Sequence, residues 1–400
     1  MRAFQPQQRI EVVDVLRGYA LMGLFLIHMV EYFELYWHQP EPGPVNTWTF
    51  FFFGGKAYAM FALLFGVSFY IIMQSQARKG IDFGARFLWR LVVLFGLGFI
   101  HGIVYGGDIL QILAVTGLIL VPLYRASNTT LLIVSLFFVF QGPALLMFGY
   151  ANAAGNLGYD RPLHSTLHPA VFEVYATGSF LDVLRTNLWD GQLAKWSFMI
   201  ESGRIWNIIG LSLFGFFLAR NDFFTDVPRY KSTYMKALFA ALVLAGVCTL
   251  WGADLVGVVG GTESRWILGN VMNAYTNHTW IVASLLILML LYHFTAASRV
   301  LRVLAPCGRI SLTIYVSQAF LLVPFFYGYG AAAYSWIGQP MSLLLGIVLW
   351  CLQVAFAHYW VKNFYYGPFE WVWRAATWLT MDVPFKRRDA RASKAAVVAG

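Results

Sequence analysis

The sequence predicts an all-α fold: a polytopic bundle of about ten membrane-spanning helices with both ends of the chain in the cytoplasm. Three observations carry that expectation. Of 400 residues, 59% are hydrophobic and 12% charged, against the ~25% charged residues of an ordinary soluble domain. Runs of roughly twenty mostly apolar residues, the length that crosses a bilayer, recur near 12–34, 48–74, 87–105, 109–124, 130–150, 196–219, 233–251, 270–294, 310–327 and 341–361. Lysine and arginine cluster on alternate connections, as at Arg78–Arg90, Arg125, Arg220–Lys236 and Arg299–Arg302, while the other side holds Arg161, Arg185, Lys195 and Arg265.

That distribution places the basic side in the cytoplasm and the protein in the inner (cytoplasmic) membrane. The net charge of +9 is read as topology and contact with anionic membrane lipid, and a surface charged in this pattern gives no reason to expect nucleic acid. The first apolar run is too long for a signal core and is expected to be a retained span. Cys248, Cys307 and Cys351 are scattered without paired spacing, so neither a disulfide framework nor a metal site is expected. The chain divides into a first transmembrane half, 1–150, an extracytoplasmic connection with a short interfacial helix, 151–195, a second transmembrane half, 196–380, and a basic tail, 381–400, expected to be disordered.

The first span carries Asp14, Arg17, His28 and Glu31, which at ~100° per residue share one stripe of an otherwise apolar helix. An ionisable group at mid-bilayer costs at least ~2.5 kcal/mol on insertion scales, so the stripe should face other helices or a wet cavity. The bland alternative is an interior Asp14–Arg17 ion pair and a His28 bonded to a neighbouring helix. In the second span, Lys56 reads either as a snorkelling lysine or as an inward ammonium able to meet an anion. Spans three and four form a tight pair in which His101, Tyr105, Asp108 and Gln111 gather, with Gly102, Gly106 and Gly107 allowing a close turn. Asp108 also suits the N-terminal end of the next helix.

In the long connection, Pro162 and Pro169 bracket His164 and His168, and solvated loop histidines are expected there. Glu201 and Arg204, three apart, read as a pair on one helix face. Span nine opens on Arg309, read as a cytoplasmic anchor, and brings Ser311, Thr313, Tyr315 and Gln318. The aromatic segment FYYGPFEWVWRAATW suits the membrane interface.

Five ordered blocks, VDVLRGYALMGLFLIHM, GGKAYAMFALLFGVSF, IHGIVYGGDILQILAVTGLIL, GRISLTIYVSQ and YYGPFEWVWR, resemble the YeiB-like family of bacterial membrane proteins across nearly the whole chain. The N-terminal half of that family is similar to transmembrane acyltransferases, which include heparan-alpha-glucosaminide N-acetyltransferase and the acyltransferase-3 proteins. Arg17, ten residues and His28 reproduce the acyltransferase-3 spacing, whereas the YeiB-like pattern more often has Asn at His28. The resemblance implies transfer from an acyl-CoA donor such as acetyl-CoA to a glycan or lipid-linked acceptor. Such chemistry needs a base and donors for the developing oxyanion. His28 would be base or nucleophile, with Glu31 or Asp108 as orienters and His101 as a second proton-transfer group. Arg17, held by Asp14, would anchor the donor, and Lys56, Tyr105 and Gln111 complete the binding set. A homo-oligomer is left open. The second hypothesis is a transporter or flippase for a small polar or lipid-linked substrate, since buried ionisable residues also serve carriers; a non-catalytic scaffold ranks last.

Overall fold

The computed structural model describes residues 10–154 and 162–387. The expected termini and most of the basic tail lie outside these residues. Among the described residues the fold is helical throughout, apart from one isolated antiparallel bridge between Phe364 and Lys386. Six helices are long and apolar enough to cross a membrane, or up to nine if each of three bent pairs is one span.

Helix α1 (Glu11–Val30) is the axis of the bundle, with 78% of its apolar window buried. The expected second span is two helices, α2 (Pro44–Phe53) and α3 (Lys56–Ala77), broken at Gly54 and Gly55. Next come α4 (Gly84–Val104) and the return stretch α5 (Leu110–Gly117) with α6 (Leu120–Leu123). The expected span at 109–124 is therefore not one long helix. Thr116 bonds back to the Ile112 carbonyl at 2.8 Å, Gly117 ends α5, and Pro122 lacks the N–H that would continue the ladder. The stretch still runs the length of α4: His101 meets Asp108 at one end, and Arg125 meets Asp82 at 3.0 Å at the other.

Two bent spans enclose the insert expected to be extracytoplasmic. Helices α7 (Asn128–Val139) and α8 (Gly142–Ala154) bend by 50° at Gln141, which has φ 57° and donates to Asn207. The insert holds two helices where one was expected, α9 (Leu163–Thr177) and α10 (Phe180–Leu188). Then α11 (Asp190–Glu201) and α12 (Arg204–Arg220) meet at 66° across Gly203, φ 75°. His164 and His168 lie within α9 rather than in a solvated loop. Glu201 accepts the His164 ring at 2.6 Å together with the backbone N–H groups of Leu163 and His164. Arg204 instead lies over the rings of Phe198 and Tyr58, so the expected Glu201–Arg204 pair is not made.

The second half adds the long hairpin α13 (Val227–Gly257) and α14 (Thr262–Phe294). Helices α15 (Ser298–Leu301), α16 (Ala305–Arg309) and α17 (Ser311–Phe326) follow, with a 76° bend at Ile310. Helix α18 (Gln339–Asn363) and the interfacial α19 (Pro368–Trp378) end the fold. Residues 381–387, expected to be disordered, are tied back through Arg387 N–H to Asn363 O at 2.9 Å.

Small residues let the central helices touch backbone to backbone. A Cβ on Gly66 would stand 1.7 Å from Ser212 O of α12, and one on Gly308 would stand 1.9 Å from Asp14 O of α1. The axis is thereby locked to α16, from the far end of the chain.

Candidate functional site

Near the end of α4, Gly98, His101 and Gly102 fall on one face by helical spacing. The chain then turns so that Asp108 arrives just ahead of α5. His101 Nδ1 lies 2.8 Å from Asp108 Oδ1, and Asp108 Oδ2 accepts the Gln111 N–H at 3.1 Å. Gln111 Nε2 donates to Gly98 O at 3.1 Å, and the Ile109 N–H donates to Tyr315 OH at 3.2 Å. His101 and Asp108 are 1% and 0% exposed. An ionised carboxylate only accepts, so beside it Nδ1 is the donor, and in the neutral imidazole Nε2 then presents the lone pair. Nε2 is buried and has no hydrogen-bond partner among the described residues, the arrangement of an oriented general base.

His28 approaches the same place. Its ring packs against Tyr105 at 5.4 Å and Phe33 at 5.5 Å, and Tyr105 in turn lies 5.9 Å from His101. The two polar clusters expected at a common depth thus share Tyr105. No carboxylate pairs with His28 among the described residues. Beyond α1, Tyr32, Phe33 and Glu34 take φ of 52°, 51° and 83°, a left-handed run that costs side-chain-bearing residues roughly 1–2 kcal/mol each. The turn brings Glu34 to accept Tyr105 OH at 3.1 Å, while Glu31 accepts Trp37 Nε1 at 3.0 Å. Gly106 and Gly107 serve close approach: a Cβ would stand 2.2 Å from Tyr175 OH or 2.4 Å from Tyr105 OH. Lys56 stands apart, donating to the carbonyls of Gly54 at 3.1 Å and Phe50 at 3.4 Å at the end of α2.

Below the dyad opens a cavity of about 1350 Å³, larger than the ~300–1,000 Å³ of most small-ligand sites. Arg17, Lys79, Arg90, Arg309, Arg374 and Arg387 line it against the carboxylates of Asp14 and Glu370. Arg17 bonds Asp14 at 2.7 Å and Ser68 Oγ at 2.8 Å. Arg90 stacks on Trp373 at 3.6 Å, Arg374 on Tyr366 at 4.9 Å and Arg387 on Tyr365 at 5.2 Å. Glu370 caps α17 through the N–H groups of Leu312 and Thr313, 2.7 and 3.1 Å. Phe61, Phe65, Leu94 and Leu113 form apolar walls, and the inner end reaches Ile109, Leu110 and Tyr315, beside Asp108.

Asp14, Arg17, Tyr105 and Gln111 therefore join this system, with Tyr105 and Gln111 in the dyad's surroundings and Arg17 in the cavity. Sequence reasoning missed Glu34, Arg90, Glu370, Arg374 and Arg387. It also missed Lys195 on α11, whose Nζ is buried near Gly102; a lysine inside a stretch read as a loop carries no signal of burial. No group of three or more His, Cys, Asp or Glu that could hold a metal gathers among the described residues.

Residues 9–155 match the family model for the catalytic region of heparan-alpha-glucosaminide N-acetyltransferase, and 218–380 match a family of proteins of unknown function, DUF418. The chain is 27% identical to the uncharacterized protein YxaH of Bacillus subtilis, covering 95% of this chain and 98% of that protein. It is 26% identical to an uncharacterized 39.9 kDa protein of Bacillus acidopullulyticus over 93% and 94% of the two chains. With the uncharacterized protein YeiB of Escherichia coli it shares 23% identity over 92% and 96%.

Proposed function

We propose that this YeiB-like multi-pass membrane chain transfers an acyl group from an acyl-CoA-type donor, such as acetyl-CoA, to a hydroxyl or amine of a glycan or lipid-linked acceptor. The single observation that carries the reading is the His101–Asp108 pair, with Nε2 unpartnered among the described residues, next to Ile109 and Tyr315, which line the inner end of a cavity that also holds six cations. The cavity's apolar walls suit a pantetheine arm, and its cations suit the donor's phosphates. His101, rather than His28, takes the role of base, because Asp108 orients it.

In the reaction, His101 Nε2 takes the acceptor's proton as the acceptor oxygen or nitrogen attacks the thioester carbon. The tetrahedral intermediate collapses, the C–S bond breaks, and the leaving thiolate recovers a proton from the imidazolium. Asp108 steadies that imidazolium through Nδ1. Tyr105, between the two histidines, positions the rings.

The donor would reach its cavity from the cytoplasm, since the lining shares the basic side with Arg78, Lys79 and Arg86. If the return stretch 109–124 counts as a crossing along with nine helical spans, the total is ten and both termini are cytoplasmic in the inner membrane. What supports this count is the double tie of that stretch to α4.

A transporter reading draws on the three bent spans, since carriers bind ions at broken helix ends. The N-terminus of α17, however, already holds Glu370.

Purified protein in nanodiscs, given labelled acetyl-CoA, tests the proposal. Saturable binding with slow thioester hydrolysis, lost in turnover but not in binding on His101→Ala, is the expected result. Absence of both binding and turnover across common acyl donors would sink it.

A further inference from the structure

Beyond the dyad, one helical turn farther from the basic end than Gly98, Gly102 faces a second polar group that the cytoplasmic cavity does not include. A Cβ on Gly102 would stand 2.6 Å from Gln111 Nε2, 3.2 Å from Gln192 Nε2 and 3.5 Å from Lys195 Nζ. Three nitrogens from two separate parts of the chain thus converge on one point beside His101. Lys195 is 5% exposed, and among the described residues its Nζ has no hydrogen-bond partner and Gln192 Oε1 is also buried without one. Asp108 is close enough for its charge to favour the ammonium, but its two oxygens are engaged by His101 and the Gln111 N–H, so no carboxylate oxygen bonds Lys195 Nζ among the described residues. An ammonium withdrawn from water and left unpaired is costly, and buried charges are held by an opposite charge.

We propose that Lys195, Gln192 and Gln111 form an anion subsite that recognises a phosphate on a ligand with a hydroxyl close by. Lys195 supplies the point charge and the amide N–H groups of Gln192 and Gln111 the directed donors. Gln192 Oε1 accepts from the hydroxyl. That this ligand is the acyl acceptor rests on the acyl-transfer reading; the anion site itself does not. The phosphate has two sources, a phospholipid headgroup or a soluble phosphate ester.

The test uses the full chain in phosphatidylcholine nanodiscs, titrated with inorganic phosphate at constant ionic strength, with thermal unfolding followed by tryptophan fluorescence. The cation-lined cavity also responds to phosphate, so the readout is the difference between proteins. Wild type and Lys195→Arg should show an extra saturable rise of roughly 5 °C at a hundredfold excess over Kd, absent in Lys195→Gln and reduced in Gln192→Leu. A parallel arm replaces phosphatidylcholine with phosphatidylglycerol and omits phosphate. A Lys195-dependent rise there assigns the headgroup, and one only with free phosphate assigns the soluble source. If wild type and Lys195→Gln respond identically in both arms, the subsite does not exist. Labelled acetyl-CoA binding, measured on the same samples, separates the two ideas: its absence beside a Lys195-dependent anion response removes the acyl-transfer reading and leaves the anion site.

Discussion

The cation-lined cavity and the buried dyad beside it use polar residues in opposite ways. The cavity spreads six cations over α1, the turn after α3, α4, α16, α19 and the segment after it, three of them stacked on aromatic rings. The dyad concentrates its chemistry in one imidazole and one carboxylate, both almost fully buried. A distributed site tolerates loss of a member because its neighbours still neutralise the ligand. A concentrated one does not, since no other side chain reproduces the His101 geometry.

The largest expected effect breaks the concentrated end. His101→Ala and Asp108→Asn should each lower turnover 10²- to 10⁴-fold with donor Kd changed by less than about threefold; single-turnover assays beside equilibrium binding check this split. At the distributed end, Arg17→Ala or Arg374→Ala should weaken donor binding roughly tenfold, about 1.4 kcal/mol, and spare the rate at saturating donor. The double variant should lose more than either.

His28→Asn sharpens the boundary between the regions. The ring touches Tyr105 and Phe33 without a carboxylate partner, so turnover should fall less than about tenfold, below the range for loss of a general base. A drop as large as that of His101→Ala would return the base to His28.

The smallest effect concerns pH in the insert between the two bent spans. Burial, with His164 adding to it, pushes the His168 imidazole down from 6.5 to about 4. The unfolded chain therefore takes up a proton that the fold refuses until lower pH. The stability that neutral His168 supports is fully present above about 6.5 and is lost as pH falls through about 4. Thermal midpoints between pH 7.5 and 4 should fall less steeply in His168→Gln than in wild type.

Much of the dyad was legible because its parts are near in sequence: His101 and Asp108 are seven residues apart, across a glycine-rich turn between two apolar runs. Arg17 and His28 stood out because a charged stripe on an apolar helix has few explanations. The cavity floor was not legible. Trp373 meets Arg90 of α4, and Arg374 and Arg387 join Arg17 in the cavity lining, only through tertiary packing across most of the chain, and a basic residue near a membrane face looks the same whether it faces water or a site. The bends at Gln141, Gly203 and Ile310 were missed for another reason. Apolar run length is insensitive to one residue's φ and ψ, and only the fold shows Gln141 held by Asn207.

The lock between α1 and α16 has a consequence for how the protein is made. Helix α1 leaves the ribosome well before α16, bringing Asp14 and Arg17 into the membrane, yet the glycine contact that seats it belongs to Gly308. Roughly 290 residues separate the partners, and at ~5–20 residues per second synthesis of that interval takes about 15–60 s. During that time the polar stripe must be shielded by lipid headgroups, translocation machinery or early helices such as α3, so α1 waits, half-sheltered, for α16.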